Sequence, residues 1–281
     1  MIKLSFCTLG QPKLPLEQFT KLLQASKYDG ITLRGRPGEH VHWQDSPERR
    51  REVKKICADA GLEILALTTY IFSASRDAGT PEQSDTRNEP GNIEELKRWV
   101  ALAADLGAAN LRVFGGGLSE GDTMRKATPR VARIMDAGAA VNPAVNICLE
   151  THDIWNTGKI VGKVLDSTTR PNCKVLWDIH GPAHSNEPVR TTFRKLRPER
   201  IAYLHVKDWF LMPGMDQPYN CLIGAGETPF ATIIKILRRA DWSGYFDVEW
   251  EGVYHPYMPP VEVAIVQSAL KLREFLGVQS A

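Results

Sequence analysis

Four residues with metal-binding or acid–base side chains end four successive apolar runs of this chain: Glu150 in NICLETH, Asp178 in KVLWDIH, His205 in AYLHVKD and Glu249 in YFDVEWEG. A titratable group at the end of such a run has lost its water and needs a metal, a counter-charge or a catalytic task. A helix cap or an arginine partner would satisfy any one of them alone, whereas four in succession favour one shared site. Three carboxylates and one imidazole are a hard, oxygen-rich donor set. It suits one divalent metal ion at six coordination with open positions: Mn2+ first, then Mg2+ or Co2+, and Zn2+ less characteristically. Such an ion can grip a carbonyl and a neighbouring hydroxyl of a sugar, polarise the carbonyl and stabilise the enediolate left when the adjacent carbon gives up its proton. A carboxylate must remove and return that proton, and Glu150 and Glu249 are the candidates.

The elements that must position these groups are short β-branched or apolar runs alternating with longer segments of helical period. Eight strands are expected: 2–9, 30–34, 63–69, 110–114, 145–150, 174–178, 202–206 and 245–249. Between them lie helical segments such as LEQFTKLLQASKY, SPERRREVKKICADAG, NIEELKRWVALAADLG and TPFATIIKILRRAD, and a last helix runs from about 261 to 276. SPERRREV and TPRVARIM carry the Ser or Thr followed by Pro of a helix start, Asn92 with Glu95 fits a capping box, and Gly61 and Gly107 mark helix ends. Eight strand–helix units in 281 residues point to the α/β class and to one closed (β/α)8 TIM barrel, residues 1–281 forming a single domain. No G-x-G-x-x-G follows the first strand, against a dinucleotide fold. Gly115 to Gly117 are only a weak phosphate-loop signal and are read instead as a tight strand exit. In such a barrel all strand C-termini share one rim, so the four residues converge there.

Other residues near that rim have weaker claims. His152 and Asp153 follow Glu150 and suit either a supporting or a structural role. Lys207 follows His205 as an electrophile, a donor to substrate hydroxyls or half of a salt bridge. Arg34 and Arg112 could clamp a substrate carboxylate or phosphate, or neutralise buried acids. Glu251 shares the strand face of Glu249 and is a candidate substrate contact. Trp177, Trp209 and Trp250 flank the key residues as sugar-stacking planes or plain wall, and His40 and His42 could cover the mouth.

Over nearly its whole length the chain resembles the xylose-isomerase-like barrel superfamily, the group of sugar phosphate isomerases and epimerases. That superfamily also includes hydroxypyruvate isomerase, inosose dehydratases, dehydroshikimate dehydratases and the endonuclease IV branch. The resemblance is carried by the Glu of NICLETH, the Asp of VLWDIH, the H-x-K-D of LHVKDW, the LIGAGETPF stretch and the final V-E-W-E. It implies that Glu150, Asp178, His205 and Glu249 bind one divalent metal and that the two glutamates exchange a substrate proton. Family members commonly place a substrate-contacting His three residues after the Asp. This chain has Gly181 there, flanked by His180 and His184, which become the substitutes. The expected activity is a metal-dependent isomerase or epimerase of a keto-sugar, sugar acid or related polyol. A dehydratase (lyase) of the inosose or dehydroshikimate type is the alternative, since strand five ends in Glu-Thr-His and not Glu-Pro-x-Asn. A sugar-binding barrel with altered catalysis is a third reading, supported by Gly181. The three-zinc nuclease branch needs further His ligands after strands three and four, where this chain has Thr68, Thr69, Tyr70 and Phe114 followed by three glycines.

Composition bounds the partners. Net charge is +2, from 35 basic against 33 acidic residues with no long basic run, so nucleic acid is not expected. The N-terminus enters a strand at once, and no apolar stretch reaches the about 18 residues of a membrane span. A cytoplasmic protein acting on a small-molecule sugar or polyol is therefore expected, without a membrane partner. A homo-oligomer remains open, with the loop from Pro213 to Gly226 as one interface candidate. Five widely spaced cysteines, Cys7, Cys57, Cys148, Cys173 and Cys221, without a C-x-x-C pair, are read as reduced core thiols.

Overall fold

The computed structural model describes residues 1–71, 89–118, 120–212, 214 and 218–278. Residues 213 and 215–217, in the loop considered above as an interface, lie outside the described residues. The order is β1 (Ile2–Cys7), α1 (Leu16–Ala25), β2 (Gly30–Arg34), α2 (Pro47–Asp59), β3 (Glu63–Thr68), α3 (Glu89–Leu106), β4 (Asn110–Val113), α4 (Met124–Ala139), β5 (Asn146–Glu150) and α5 (Gly158–Asp166). It continues with β6 (Cys173–Asp178), α6 (His180–His184), α7 (Val189–Leu196), β7 (Ile201–Val206), β8 (Asp208–Phe210), β9 (Tyr219–Cys221), α8 (Phe230–Arg239), β10 (Gly244–Val248) and α9 (Val261–Leu276). Eight parallel strands close into a barrel in the order β1, β10, β7, β6, β5, β4, β3, β2. This is the (β/α)8 barrel expected from the alternation, and its strands lie within a residue or two of the expected runs.

Strand alternation divides the apolar residues between two cores. Ile147, Leu149, Val175, Trp177, Leu204, Val206, Phe246 and Val248 pack outward in the large core that includes the helices. Leu65, Ala66, Cys148, Leu176, Tyr203 and Tyr245 form a separate small cluster inside the barrel. Successive side chains on a strand point to opposite faces. Cys148, Leu176, Tyr203 and Tyr245 therefore put Glu150, Asp178, His205 and, further along, Asp247 and Glu249 on the lumen side.

Two helix starts differ from the sequence reading. The capping box at Asn92 and Glu95 is not a cap, because α3 already runs from Glu89 and Asn92 is buried within it. Pro90 sits in the first turn, where a missing N–H costs no helical bond. TPRVARIM does not open α4 either: Thr123 does, its side chain accepting from Lys126 N, and Pro129 is carried inside the helix. SPERRREV behaves as read, with Ser46 capping Arg49 N and Pro47 at the first position. The short antiparallel pair β8–β9 was not foreseen. The five cysteines are free, four of them buried. No helix of the described residues is long and apolar enough to cross a membrane.

Candidate functional site

The C-terminal ends of β5, β7 and β10 bring Glu150, His205 and Glu249 together, with one donor atom of each within 4.8 Å of the others. His205 Nδ1 lies 2.7 Å from Glu150 Oε1 and 3.3 Å from Glu249 Oε1. Asp178, opposite His205 in the β6–β7 register, joins this cluster through a cation. Lys207 Nζ stands 3.1 Å from Asp178 Oδ2, 2.5 Å from Glu249 Oε2 and 3.0 Å from Glu251 Oε1. Two residues beyond His205, it shares the lumen face with Tyr203 and His205.

A second cation closes the other side. Arg112 Nη1 is 3.2 Å from Glu150 Oε2 and 3.5 Å from Glu249 Oε1, while its Nε and Nη2 donate to the Thr69 carbonyl. The guanidinium is thus spent inside the protein as a counter-charge. Arg34 is likewise engaged, donating to Tyr70, Glu39 and Tyr254. Burial alone would raise the Glu249 carboxyl, yet His205 and Lys207 outweigh it and hold that group well below its ordinary range. Glu150 is lowered against its burial by Arg112 and His205. Asp178 is raised, because burial and the nearby glutamates prevail over the shared Lys207. His205 and Lys207 resist burial and stay well above their usual values, His205 through Glu249 and Glu150, Lys207 through Asp178, Glu249 and Glu251.

The site opens into a cleft of about 360 Å3 lined by Thr151, His152, Asp153, Asn156, Asp178, His180, Gly181, His184, Lys207 and Glu251. This side of the rim gathers the substrate-contact candidates from the sequence, Arg112 excepted. The His152 side chain is 38 % exposed, while its Nδ1 lies 3.0 Å from Asp153 Oδ1. Burial lowers its pKa, but Asp153, Glu150 and Asp178 together push it up to about 9. His180 goes the other way, down to about 4, through burial and Lys207. Glu251 is bound by Lys207 and by Asn220 Nδ2 at 2.8 Å, and Lys207 lowers its pKa, against burial, to about 2.

Local packing explains several sequence features. A Cβ on Gly181 would come within 2.4 Å of the Thr151 carbonyl oxygen, so no histidine fits there unless α6 backs away from the end of β5. Gly115 makes room for the Trp155 ring, whose Nε1 donates to the Gly116 carbonyl, in keeping with a tight exit from β4. Asp208, next to Lys207, accepts from the backbone N–H of Trp209, Gly224, Gly226 and Thr228, and so ties the LIGAGETPF stretch to the end of β7. His40 does not cover the mouth: it is buried, with Nε2 2.9 Å from the Leu14 carbonyl. His42 lies against Trp43 and Trp99. Sequence reasoning passed over Asp247, a fully buried carboxylate with Oδ2 3.3 Å from His205 Nε2. Its position midway between Tyr245 and Glu249 on the lumen face was the available signal.

The donor set fits a divalent ion. Glu150, His205 and Glu249 place two carboxylates and an imidazole within 4.8 Å of one another, and Asp178 stands beside them through the shared Lys207. Glu150 Oε2 is buried with no hydrogen bond among the described residues, its cationic neighbour being Arg112 Nη1 at 3.2 Å.

Residues 13–275 match the family model described as xylose isomerase-like TIM barrel. The chain belongs to this family. Among solved structures, the IOLI protein with a bound zinc atom is 16 % identical over 100 % of both chains, with TM-score 0.77. A probable 3-DHS dehydratase, AsbF of Bacillus anthracis, is 19 % identical over 96 % of this chain and 98 % of its own, with TM-score 0.71. An L-ribulose 3-epimerase is 15 % identical over 99 % and 95 %, with TM-score 0.72. The chain spans only 42 % of another similar protein, a xylose isomerase-like TIM barrel/4-hydroxyphenylpyruvate dioxygenase fusion, aligning 98 % of its own length at 15 % identity and TM-score 0.76. At these identities the likeness is one of fold. No curated protein matches the sequence.

Proposed function

We propose that this xylose isomerase-like barrel is a divalent-metal-dependent isomerase or epimerase of a keto-sugar, sugar acid or related polyol. The observation that carries the reading is the convergence of Glu150, His205 and Glu249, with Asp178 alongside, beneath an open polar cleft. Glu150, Asp178, His205 and Glu249 hold the ion, with Mn2+ the first candidate. When bound, the ion supplies positive charge at a substrate carbonyl, which acidifies the adjacent C–H and favours the enediolate. Glu150, kept ionised by Arg112 and His205, accepts the proton from that carbon. Glu249, once it has taken up a proton from solvent through the cleft, delivers it to the same carbon (epimerisation) or to its neighbour (isomerisation), and Glu150 gives the proton it took back to solvent. Lys207 fixes the Asp178 and Glu249 carboxylates and presents its ammonium to the cleft. Among the similar structures, the one described as an epimerase and the one described with zinc support this reading.

A second reading, dehydration, is favoured by His152. Its imidazole lines the cleft with Nδ1 3.0 Å from Asp153 Oδ1, a carboxylate that raises its pKa against burial; as an imidazolium it can donate a proton to a departing β-hydroxyl after Glu150 has taken the carbon-bound one. The similarity to a protein described as a dehydratase points the same way.

Metal analysis of the purified chain, followed by a screen for solvent deuterium entering keto-sugars and sugar acids with Mn2+ supplied, tests both. Exchange at one carbon supports isomerisation or epimerisation. Loss of water with a new conjugated carbonyl absorbance supports the lyase, and metal uptake with neither outcome supports a sugar-binding barrel. With a substrate in hand, Glu150→Gln should keep the fold by circular dichroism and lose proton exchange by at least about a hundredfold, the scale of a removed general base. Undiminished exchange would take Glu150 out of the mechanism.

A further inference from the structure

Carboxylates flank His205 on both sides. Its Nδ1 faces Glu150 and Glu249, the side on which the metal donors gather, and its Nε2 faces Asp247 Oδ2 at 3.3 Å, two buried atoms aimed at each other that make no other hydrogen bond among the described residues. Asp247 lies opposite His205 in the β10–β7 register, two residues before Glu249 on the same face. Its other oxygen, Oδ1, accepts from Ser5 Oγ at 2.7 Å, and Ser5 and Asp247 are both fully buried. The proton transfers proposed above make no use of this carboxylate. A buried carboxylate is costly to keep without a task.

An imidazole can ligate through Nδ1 only when that nitrogen carries the lone pair, which puts the ring proton on Nε2. We propose that Asp247, braced by Ser5, is a positioning residue that fixes His205 in the Nε2–H form and aims Nδ1 at the metal centre. A carboxylate is suited to this because it only accepts. In Asp247→Asn, the Ser5 hydroxyl keeps its acceptor when the amide oxygen takes the Oδ1 place. The amide NH2 then faces Nε2 and drives the ring proton to Nδ1, where it blocks the ion.

The inference rests on the metal-centre reading, and the experiment separates the two. Titration calorimetry with Zn2+ on the full chain compares wild type, Asp247→Asn and Ser5→Ala, with circular dichroism as the fold control. Zinc is diamagnetic, so 15N-histidine spectra of the loaded protein also report which His205 nitrogen keeps its proton. Wild type should bind zinc and show an Nε2–H resonance. Asp247→Asn should bind about 10–100-fold more weakly, the usual effect of losing such a partner of a metal-bound histidine, and Ser5→Ala should show a smaller loss. A purely structural Asp247 would change the unfolding midpoint and leave the affinity of the folded protein and the Nε2–H resonance alone; that result overturns the proposal. If Asp247→Asn does not fold, Ser5→Ala decides, and an unchanged affinity and spectrum in that variant overturn it as well. Absence of zinc uptake by wild type would overturn the metal-centre reading and this inference with it. Wild-type uptake with equal affinity in Asp247→Asn would remove only the role of Asp247.

Discussion

Lys207 carries the electrostatics of the site at the scale of single residues. Its side chain is 6 % exposed, and the ammonium serves Asp178, Glu249 and Glu251 at once. Removing one member of a buried charge set strands the others and typically costs about 3–5 kcal/mol. Lys207→Met is therefore expected to lower the urea midpoint sharply in the presence of chelator. The deficit should narrow when Mn2+ is added, because the ion then neutralises Asp178 and Glu249. A deficit of equal size with and without Mn2+ would show that the ion does not share those carboxylates. The four proposed ligands were legible in the sequence because each ends an apolar run that would otherwise be pure core. The committed state of Arg112 and the threefold pairing of Lys207 were not, since a cation's partner is set by register across strands distant in sequence. Asp247 was hidden differently: in YFDVEWEG it is one of three acids at alternate positions on one strand face, and only the packing across strands shows that it lies deepest, against His205 Nε2.

At the scale of elements, the eight barrel strands were legible because β-branched and apolar runs bounded by Gly, Pro and Asn can hardly form anything else. The pair β8–β9 was not, being three residues each of mixed polarity, DWF and YNC, joined only by tertiary context. The start of α4 was misread for a related reason, since a Thr-Pro pair marks a helix start only when no better cap lies a turn earlier, as Thr123 does. Gly181 shows an element being fixed by contact. The absence of a histidine at this position, which on sequence suggested altered function, has a local cause in the close approach of α6 to the Thr151 carbonyl. Gly181→Ala should cost about 1–3 kcal/mol, as overpacking does. It should also disturb the cleft, because His180 and His184 ride on the same short helix. Urea denaturation together with the proton spectrum of those two imidazoles checks this. A variant as stable as wild type, with unshifted His180 and His184 signals, would mean that α6 is free to move and that Gly181 does not constrain it.

At the scale of the whole molecule, the proposed ion would tie β5, β6, β7 and β10 together, half the circumference of the closed barrel, using donors that no single segment of the unfolded chain can gather. Binding to the native state alone stabilises it by about 2.7 kcal/mol at a free ion concentration a hundredfold above Kd. For a domain of this size each kcal/mol moves Tm by roughly 2–4 °C, so Mn2+ against chelator should separate the midpoints by about 5–10 °C, reversibly. An ion gathered loosely by surface acids would also raise Tm a little, so the shift alone does not locate it. The Glu150→Gln variant supplies the location: it removes one donor charge from the lumen and leaves every surface carboxylate in place. Wild type should therefore show the full shift and Glu150→Gln only a small part of it. Equal shifts in the two proteins would place the ion elsewhere on the molecule, and no shift in either at millimolar Mn2+ would leave the buried carboxylates as a structural network completed by Arg112 and Lys207.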